Sequence, residues 1–363
     1  MNNAKIIIIS QPIRSGKTTA LMNRINLITD TDGVLSPDVN GVRKILLIGK
    51  RNLIDFETLK PEESTTIGRF NFLNKAFDIS NDYLINIQPK ENSEIIIDEI
   101  GKLELIEKGF FKSLIHHLQI IRQPNSNHRL VLIVRDTLLK EVISKFNIQD
   151  AKVITADHFD FNNKTLKPVI LSGLVLCGGK SSRMGADKAF LKYHQQEQYK
   201  FIAQHFINLK IPVLISCNDL QQKKISNEYA SLKDDVEFKN NGPISGLLTA
   251  FRNKPDDSII LVGCDYPLIQ QHHIETLATL SQYGFDAVCY VRQSNHTINE
   301  PLLTFYNNSV KEKLFHSFTS GNTSIKKLLD KLNTLKILVE DESFLKSFDT
   351  PEDFRSFHNK PFK

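Results

Sequence analysis

The sequence predicts an α/β protein built as two tandem doubly wound domains. Three observations predict it. Short apolar runs alternate with polar, helix-like segments along the chain, the pattern of a mostly parallel sheet covered by helices. The length of 363 residues exceeds one ordinary domain. The alternation is interrupted at residues 158–168 (HFDFNNKTLKP), where an Asn-Asn pair, charges and a proline mark a linker, and then restarts. The expected domains are residues 1–165 and 168–363.

In the first half, Ile6 to Ile9 form a continuous β-branched run, as expected of a parallel strand buried on both faces, so a strand is placed at 5–10. A turn and a helix at 16–28 follow. Further strands are expected at 44–48, 94–97, 130–134 and 152–154, with helices at 110–122 and 138–146. In the second half the same reasoning places strands at 169–176, 212–216, 258–262, 286–291, 302–306 and 335–339. Helices fit at 189–209, 243–252 and 271–282.

Composition removes several classes of protein. Hydrophobic residues are 40% and charged residues 24%, which excludes a disordered, collagen-like or coiled-coil chain. No apolar run approaches the ~18–20 residues that span a bilayer. The start, MNNAKIIIIS, lacks the features of a signal peptide, so a cytoplasmic protein without membrane contact is expected. The net charge of +5 does not demand nucleic acid but favours phosphorylated small molecules. Cys177, Cys217, Cys264 and Cys289 form no C-x-x-C pair and read as buried free thiols. The pairs His116-His117 and His272-His273 have no metal-ligand spacing.

Residues 11–18 read Q-P-I-R-S-G-K-T, close to the phosphate-loop pattern G-x-x-x-x-G-K-[ST] but with Gln11 at the first glycine. The context is a buried strand, the loop and a helix opening at Gly16, so backbone N–H groups and the helix N-terminus face a phosphate. Lys17 would neutralise β/γ-phosphate charge and Thr18 would reach Mg²⁺. A second half-site is Ile95-Ile96-Ile97-Asp98-Glu99, an apolar strand ending in two carboxylates. Asp98 is expected in the Mg²⁺ shell, with Glu99 free to orient or deprotonate a water. The segment IIIDEIGKLEL, with GVLSPDV and TIGRFNF, resembles the small P-loop nucleoside-triphosphatases of thermophile (THEP) type over about residues 3–160. That resemblance implies a compact domain that binds and hydrolyses NTPs; Gln11 predicts a low rate.

In the second half, residues 176–188 read L-C-G-G-K-S-S-R-M-G-A-D-K directly after a buried strand. Gly178 and Gly179 allow close backbone approach to a nucleotide. Ser181, Ser182, Arg183 and Lys188 supply hydroxyl and cationic groups for a triphosphate, Arg183 as a fork and Lys188 as a point charge. Asp265, in L-V-G-C-D-Y-P, closes another buried strand, where an α/β sheet holds a Mg²⁺–nucleotide. Asn241-Gly242-Pro243 turns into a helix, with Asp234 and Asp235 just upstream.

These motifs resemble the molybdenum cofactor guanylyltransferase (MobA) family over about residues 170–357. The signature L-A-G-G-x-S-x-R-M-G-x-D-K, with Cys177 for Ala, G-P-[LI]-x-G, C-D-x-P and T-P-E-[DE] each have a counterpart. The resemblance implies that Leu176, Cys177 and Gly178 line a guanine nucleotide and Lys188 contacts its phosphates. Asp235 would hold the ribose or base side and Asp265 would ligate Mg²⁺. GMP would pass from GTP to the phosphate of molybdopterin, with molybdoenzymes or cofactor-assembly proteins as partners. Catalysis is then charge neutralisation and in-line positioning by Arg183, Lys188 and Asp265. Two patterns depart from the family: N-G-K-P reads His194-Gln195-Gln196-Glu197, and Asn-x-Asn-Thr-Pro reads Ser347-Phe348-Asp349-Thr350-Pro351, on the expected pterin side. The competing readings are a cytidylyl- or other nucleotidyltransferase with a different acceptor, and a nucleotide sensor or cofactor carrier without turnover. Cytidylyl relatives usually read L-A-A-G where this chain has Leu176-Cys177-Gly178-Gly179, which favours guanine.

Overall fold

A computed structural model describes residues 4–12, 15–25, 30–156, 168–177, 186–292 and 298–358. The chain forms two compact units, Met1–Leu166 and Lys167–Lys363. Among the described residues no helix is long and apolar enough to cross a membrane.

In the first unit, five parallel strands lie in the order Lys152–Ile154, Ile6–Gln11, Arg129–Arg135, Glu94–Ile100 and Thr31–Leu35. Ile8, Ile9, Ile96, Ile97 and Leu132 are buried, which is why these runs carry no polar alternation. The sheet then continues antiparallel through Val42–Leu47 and Asn52–Asp55. A separate small sheet pairs Phe70–Leu73 with both Glu57–Thr58 and Ser64–Ile67. The expected mostly parallel unit is corrected in this region: the hairpins are half-exposed and short, and their mixed residues give no long apolar run to read. Gly33 is required where the strand Thr31–Leu35 crosses Ile96. Its φ is +119°, and a Cβ there would lie 2.0 Å from the Ile96 carbonyl oxygen.

His117, on the helix Phe111–Ile121, is fully buried with its Nε2 2.9 Å from the Leu84 carbonyl oxygen. Burial pushes its pKa down to about 4. The unfolded chain therefore takes up a proton below pH ~6.5 that the folded chain refuses, so stability falls with acidity between that pH and the folded value. Urea unfolding is expected to show a loss on the order of 2 kcal/mol from this site between pH 7 and pH 5. The loss should be reduced in His117→Gln, which keeps a donor for Leu84.

In the second unit, parallel strands run in the order Ala230–Lys233, Val213–Cys217, Leu171–Leu176 and Ser258–Gly263. Ile298–Tyr306 then pairs antiparallel with both Ser258–Gly263 and Ala287–Arg292, and Thr334–Leu338 closes the row. The chain starts at Leu171–Leu176, adds two strands to one side and returns to add Ser258–Gly263 on the other. The carboxyl ends of Leu171–Leu176 and Ser258–Gly263 thus flank a topological switch point, where open α/β sheets hold ligands. Leu174, Leu247, Phe251, Leu261 and Tyr306 form the core between this sheet and the helix Pro243–Asn253. Gly246 lets that helix close on the sheet, since a Cβ there would sit 2.6 Å from Ser216 Oγ and 2.7 Å from Leu176 Cδ2.

The single helix expected at 189–209 is not formed. Lys188–Phe190 is a 3₁₀ turn, and the α-helix runs only over Gln198–Asn208. Between them Gln195 has φ +63°, at the position where the family pattern carries glycine. A side chain in the left-handed region costs ~1–2 kcal/mol. Gln195 is exposed. Gln195→Gly is therefore expected to raise the unfolding free energy by about 1 kcal/mol, read from denaturant midpoints.

Candidate functional site

In the first unit, parallel pairing brings three strand ends to one edge. Gln11 is in register with Arg135, and Ile97 with Leu132. The next pair is Val134 with Ile100, so Asp98 and Glu99 together oppose the single residue Ile133. This is a β-bulge, and it re-aims both carboxylates. Glu99 takes the strained φ of +63° that the bulge imposes.

Asp98 is buried and accepts hydrogen bonds from Ser36 N–H (2.9 Å), Thr18 Oγ1–H (3.2 Å) and its neighbour Glu99 N–H (2.9 Å). Burial, with the Glu99 charge adding to it, raises its pKa to about 6. Gly16 has φ +82° at the mouth of the helix Lys17–Ile25. Lys17 Nζ donates to the Gln11 and Pro12 carbonyls (2.8 Å each) and to Ser15 Oγ (3.3 Å). Burial lowers the Lys17 pKa, against the opposing pull of Asp98 and Glu99. Gln11 is an ordinary strand residue whose side-chain oxygen accepts from Ala156 N–H at 3.3 Å.

The structure therefore brings Gly16, Lys17, Thr18 and Asp98 together. It corrects one expectation: Glu99 is not free, because Arg43 and Arg135 both pair with it. Sequence reasoning missed Arg43, which stands one residue before the strand expected at 44–48 and belongs to Val42–Leu47, and Ser36, which contributes only its backbone.

In the second unit, the strand Leu171–Leu176 delivers Leu176 and Cys177 to the switch point, and the Cys264 N–H donates to the Leu176 carbonyl at 3.2 Å. Cys177 offers its backbone rather than its thiol. Gln221 Nε2 donates to the Cys177 carbonyl (2.9 Å) and to Asp187 Oδ2 (2.8 Å), tying together both flanks of the signature loop. Gly178, Gly179 and Arg183 lie outside the described residues. The Cys177 sulfur is 3.8 Å from that of Cys264. This contact, then burial, raises the Cys177 pKa well above normal, so the thiol is neutral and a poor nucleophile.

Asp265 follows the strand Ser258–Gly263. Its Oδ2 accepts from Ser347 Oγ (3.1 Å), while its Oδ1 is buried without a partner among the described residues. Burial raises its pKa, offset in part by Lys188. Lys188 forms an ion pair with Asp349, and Ser347 Oγ also lies 3.0 Å from Asp349 Oδ1. Burial opposes the ionised form of Asp349, but Lys188 outweighs it and holds that carboxyl below its usual range. Asp265, Lys188, Ser347 and Asp349 thus form one cluster. Asp235 lies apart from it, bound through Oδ2 to Arg252 Nη1 at 2.9 Å.

The C-terminal segment reaches the cluster because it is pinned. Phe348 and Phe357 pack with Tyr193, whose ring centroid is 5.9 and 5.1 Å from theirs. The T-P-E-D run starts the helix Pro351–His358 as a capping box with proline in the first turn. Asp353 N–H donates to Thr350 Oγ1 (3.2 Å), and Asp353 Oδ2 accepts from Thr350 N–H (3.1 Å).

Oxygen donors of this kind suit a hard divalent cation. In the second unit the unpartnered Oδ1 of Asp265 fits such an ion, and in the first unit the Thr18 hydroxyl lies beside the Asp98 carboxylate. Among the described residues no group of three or more His, Cys, Asp and Glu could hold a metal. Mg²⁺ at either place would therefore keep most of its ligands from water and phosphate.

Comparison with known proteins points to the second unit. The chain is 29% identical over 187 residues to the molybdenum cofactor guanylyltransferase of Pseudomonas entomophila, covering 50% of this chain and 95% of that protein. It is 24% identical over 190 residues to that of Campylobacter jejuni, covering 52% and 96%. A solved molybdopterin-guanine dinucleotide biosynthesis protein A from Archaeoglobus fulgidus superposes with TM-score 0.44 at 22% identity, over 51% of this chain and 96% of that one. A human cancer-related nucleoside triphosphatase gives TM-score 0.34 at 19% identity, over 42% and 88%. The family model of the MobA-like NTP transferase domain matches residues 173–335. The second half of this chain is thus similar to MobA-like NTP transferase domains, over residues 173–335.

Proposed function

We propose that the second half transfers GMP from GTP to the phosphate of molybdopterin, releasing pyrophosphate, and that the first half binds and slowly hydrolyses NTPs. The observation that carries the first reading is the half-buried Asp265 at the switch point, with one carboxylate oxygen unpartnered among the described residues. Mg²⁺ bound there would supply charge neutralisation on the phosphates. Ser347 orients the Asp265 carboxylate from behind. Lys188, now on Asp349, is placed to exchange that partner for a phosphate oxygen. Arg183 supplies the bidentate fork, and Gly178 and Gly179 the close backbone approach. Asp235, held by Arg252, takes the ribose or base side. The acceptor phosphate is itself the nucleophile, which agrees with a neutral Cys177 thiol.

For the first half, the juxtaposition of Lys17, Thr18 and Asp98 supports phosphate and Mg²⁺ binding at Gly16–Thr18. Glu99 can act on a water only after leaving Arg43, which agrees with slow turnover. Pyrophosphate release by the full chain, given GTP or CTP with molybdopterin, tests the transferase reading. Release is expected with GTP and molybdopterin together. Preference for CTP would support the cytidylyl alternative, and binding of GTP without release would support a sensor or carrier.

A further inference from the structure

A cavity of about 220 Å³ in the first unit shares Glu99 with the proposed hydrolysis, but the rest of its lining is used by neither proposed reaction. Its walls are aromatic. Phe56, Phe72 and Phe77 are buried, with Phe56 tilted against Phe72 (4.5 Å between centroids) and edge-on to Phe77 (5.0 Å). The turn Gly68-Arg69 between the strands Ser64–Ile67 and Phe70–Leu73 also lines it. This is the TIGRFNF segment, for which the sequence suggests no task. Phe70 lines the cavity half-buried, and the Arg69 guanidinium lies 4.9 Å from its ring centroid.

The rim is cationic. Arg43, Arg69, Lys102 and Arg135 line it against Glu99 and Glu104. Glu104 is already satisfied by the N–H groups of Gly101 (2.7 Å) and Phe110 (2.8 Å), and Glu99 is shared between Arg43 and Arg135. Among the described residues neither Arg69 nor Lys102 has an acidic partner. Positive charge is in surplus over an aromatic hollow.

We propose that this cavity binds a second ligand of the first unit: a flat aromatic ring system bearing a phosphate or carboxylate, distinct from the nucleotide. Phenylalanine faces and edges favour a ring stacked or held edge-on, and Arg69 adds a cation over the π-face. The unpaired guanidinium and ammonium groups select the anionic substituent. The volume is below the roughly 300–1,000 Å³ that takes a whole drug-sized ligand, so it suits one ring system rather than a complete nucleotide. None of the described residues among 11–18 lines the cavity. The ligand's anion would compete with Glu99 for Arg43 and Arg135. Only the distinctness from the nucleotide rests on the reading of Lys17 and Thr18 as its phosphate site.

The test is calorimetric titration of 1-naphthyl phosphate into the full chain. Saturable binding is expected, weakened roughly tenfold by Arg69→Ala and by Phe70→Ala, with neutral 1-naphthalenemethanol at least about tenfold weaker. Saturating Mg²⁺–ATP should leave the affinity within about twofold. Equal affinity in wild type and both variants, equal affinity for the neutral analogue, or competitive displacement by Mg²⁺–ATP overturns the proposal. Absence of ATP binding alongside retained, variant-sensitive naphthyl phosphate binding would sink the NTPase reading and leave this one standing.

Discussion

Asp265→Ala is expected to lower GTP-dependent transfer to molybdopterin by about a hundredfold or more while leaving the protein folded. The carboxylate stands at the end of the strand Ser258–Gly263, and its Oδ1 is shielded with no partner among the described residues. A Mg²⁺ ligand stabilises the charge that develops on the transferring phosphoryl group by several kcal/mol, and each ~1.4 kcal/mol is tenfold in rate. Stability should change little. Burial already raises the Asp265 pKa, so the ionised group costs desolvation that the variant no longer incurs. Asp265→Asn separates charge from shape: it preserves the contact with Ser347 and should be nearly as inactive. Pyrophosphate release and thermal unfolding measure the two effects, and a folded Asp265→Ala protein with near-normal transfer would refute the assignment.

Lys17→Ala should act on the other half alone. In the structure Nζ is held by the Gln11 and Pro12 carbonyls, partners weak enough to be replaced by phosphate oxygens. Removing the ammonium takes away the principal cation of that loop. ATP hydrolysis by the full chain is expected to fall on the order of a hundredfold, and guanylyl transfer to stay within about twofold. Asp265→Ala should give the reverse pattern. Phosphate release from ATP and pyrophosphate release from GTP with molybdopterin, on the same preparations, read the two activities apart. Undiminished ATP hydrolysis in Lys17→Ala would remove this loop from the reaction.

The parallel strands were legible because a strand buried on both faces writes itself as an unbroken apolar run, as Ile6 to Ile9 and Ile95 to Ile97 do. The signature segments were legible for a different reason: Gly, Lys, Asp and Pro at strand ends have local tasks, such as the capping box of Thr350 and Asp353. The hairpins between residues 52 and 73 were not legible. Half-exposed short strands mix polar and apolar residues, so no unbroken apolar run marks them, although their partners lie only 3 to 15 residues away. The expected helix at 189–209 failed on Gln195, whose left-handed backbone interrupts it although glutamine itself signals no turn.

By itself, then, the sequence determined the α/β class, the strands that end at each site, and the nomination of Lys17, Thr18, Asp98, Lys188 and Asp265. Those properties depend on residue type and near neighbours. Only the tertiary structure decided which charges meet. It set Glu99 between Arg43 and Arg135, Lys188 on Asp349, Asp235 on Arg252, and Ser347 behind Asp265. These partners are 17 to 161 residues apart in the chain. Pairings at such separations follow from sheet order, a bulge and an aromatic anchor, and these arise only from packing.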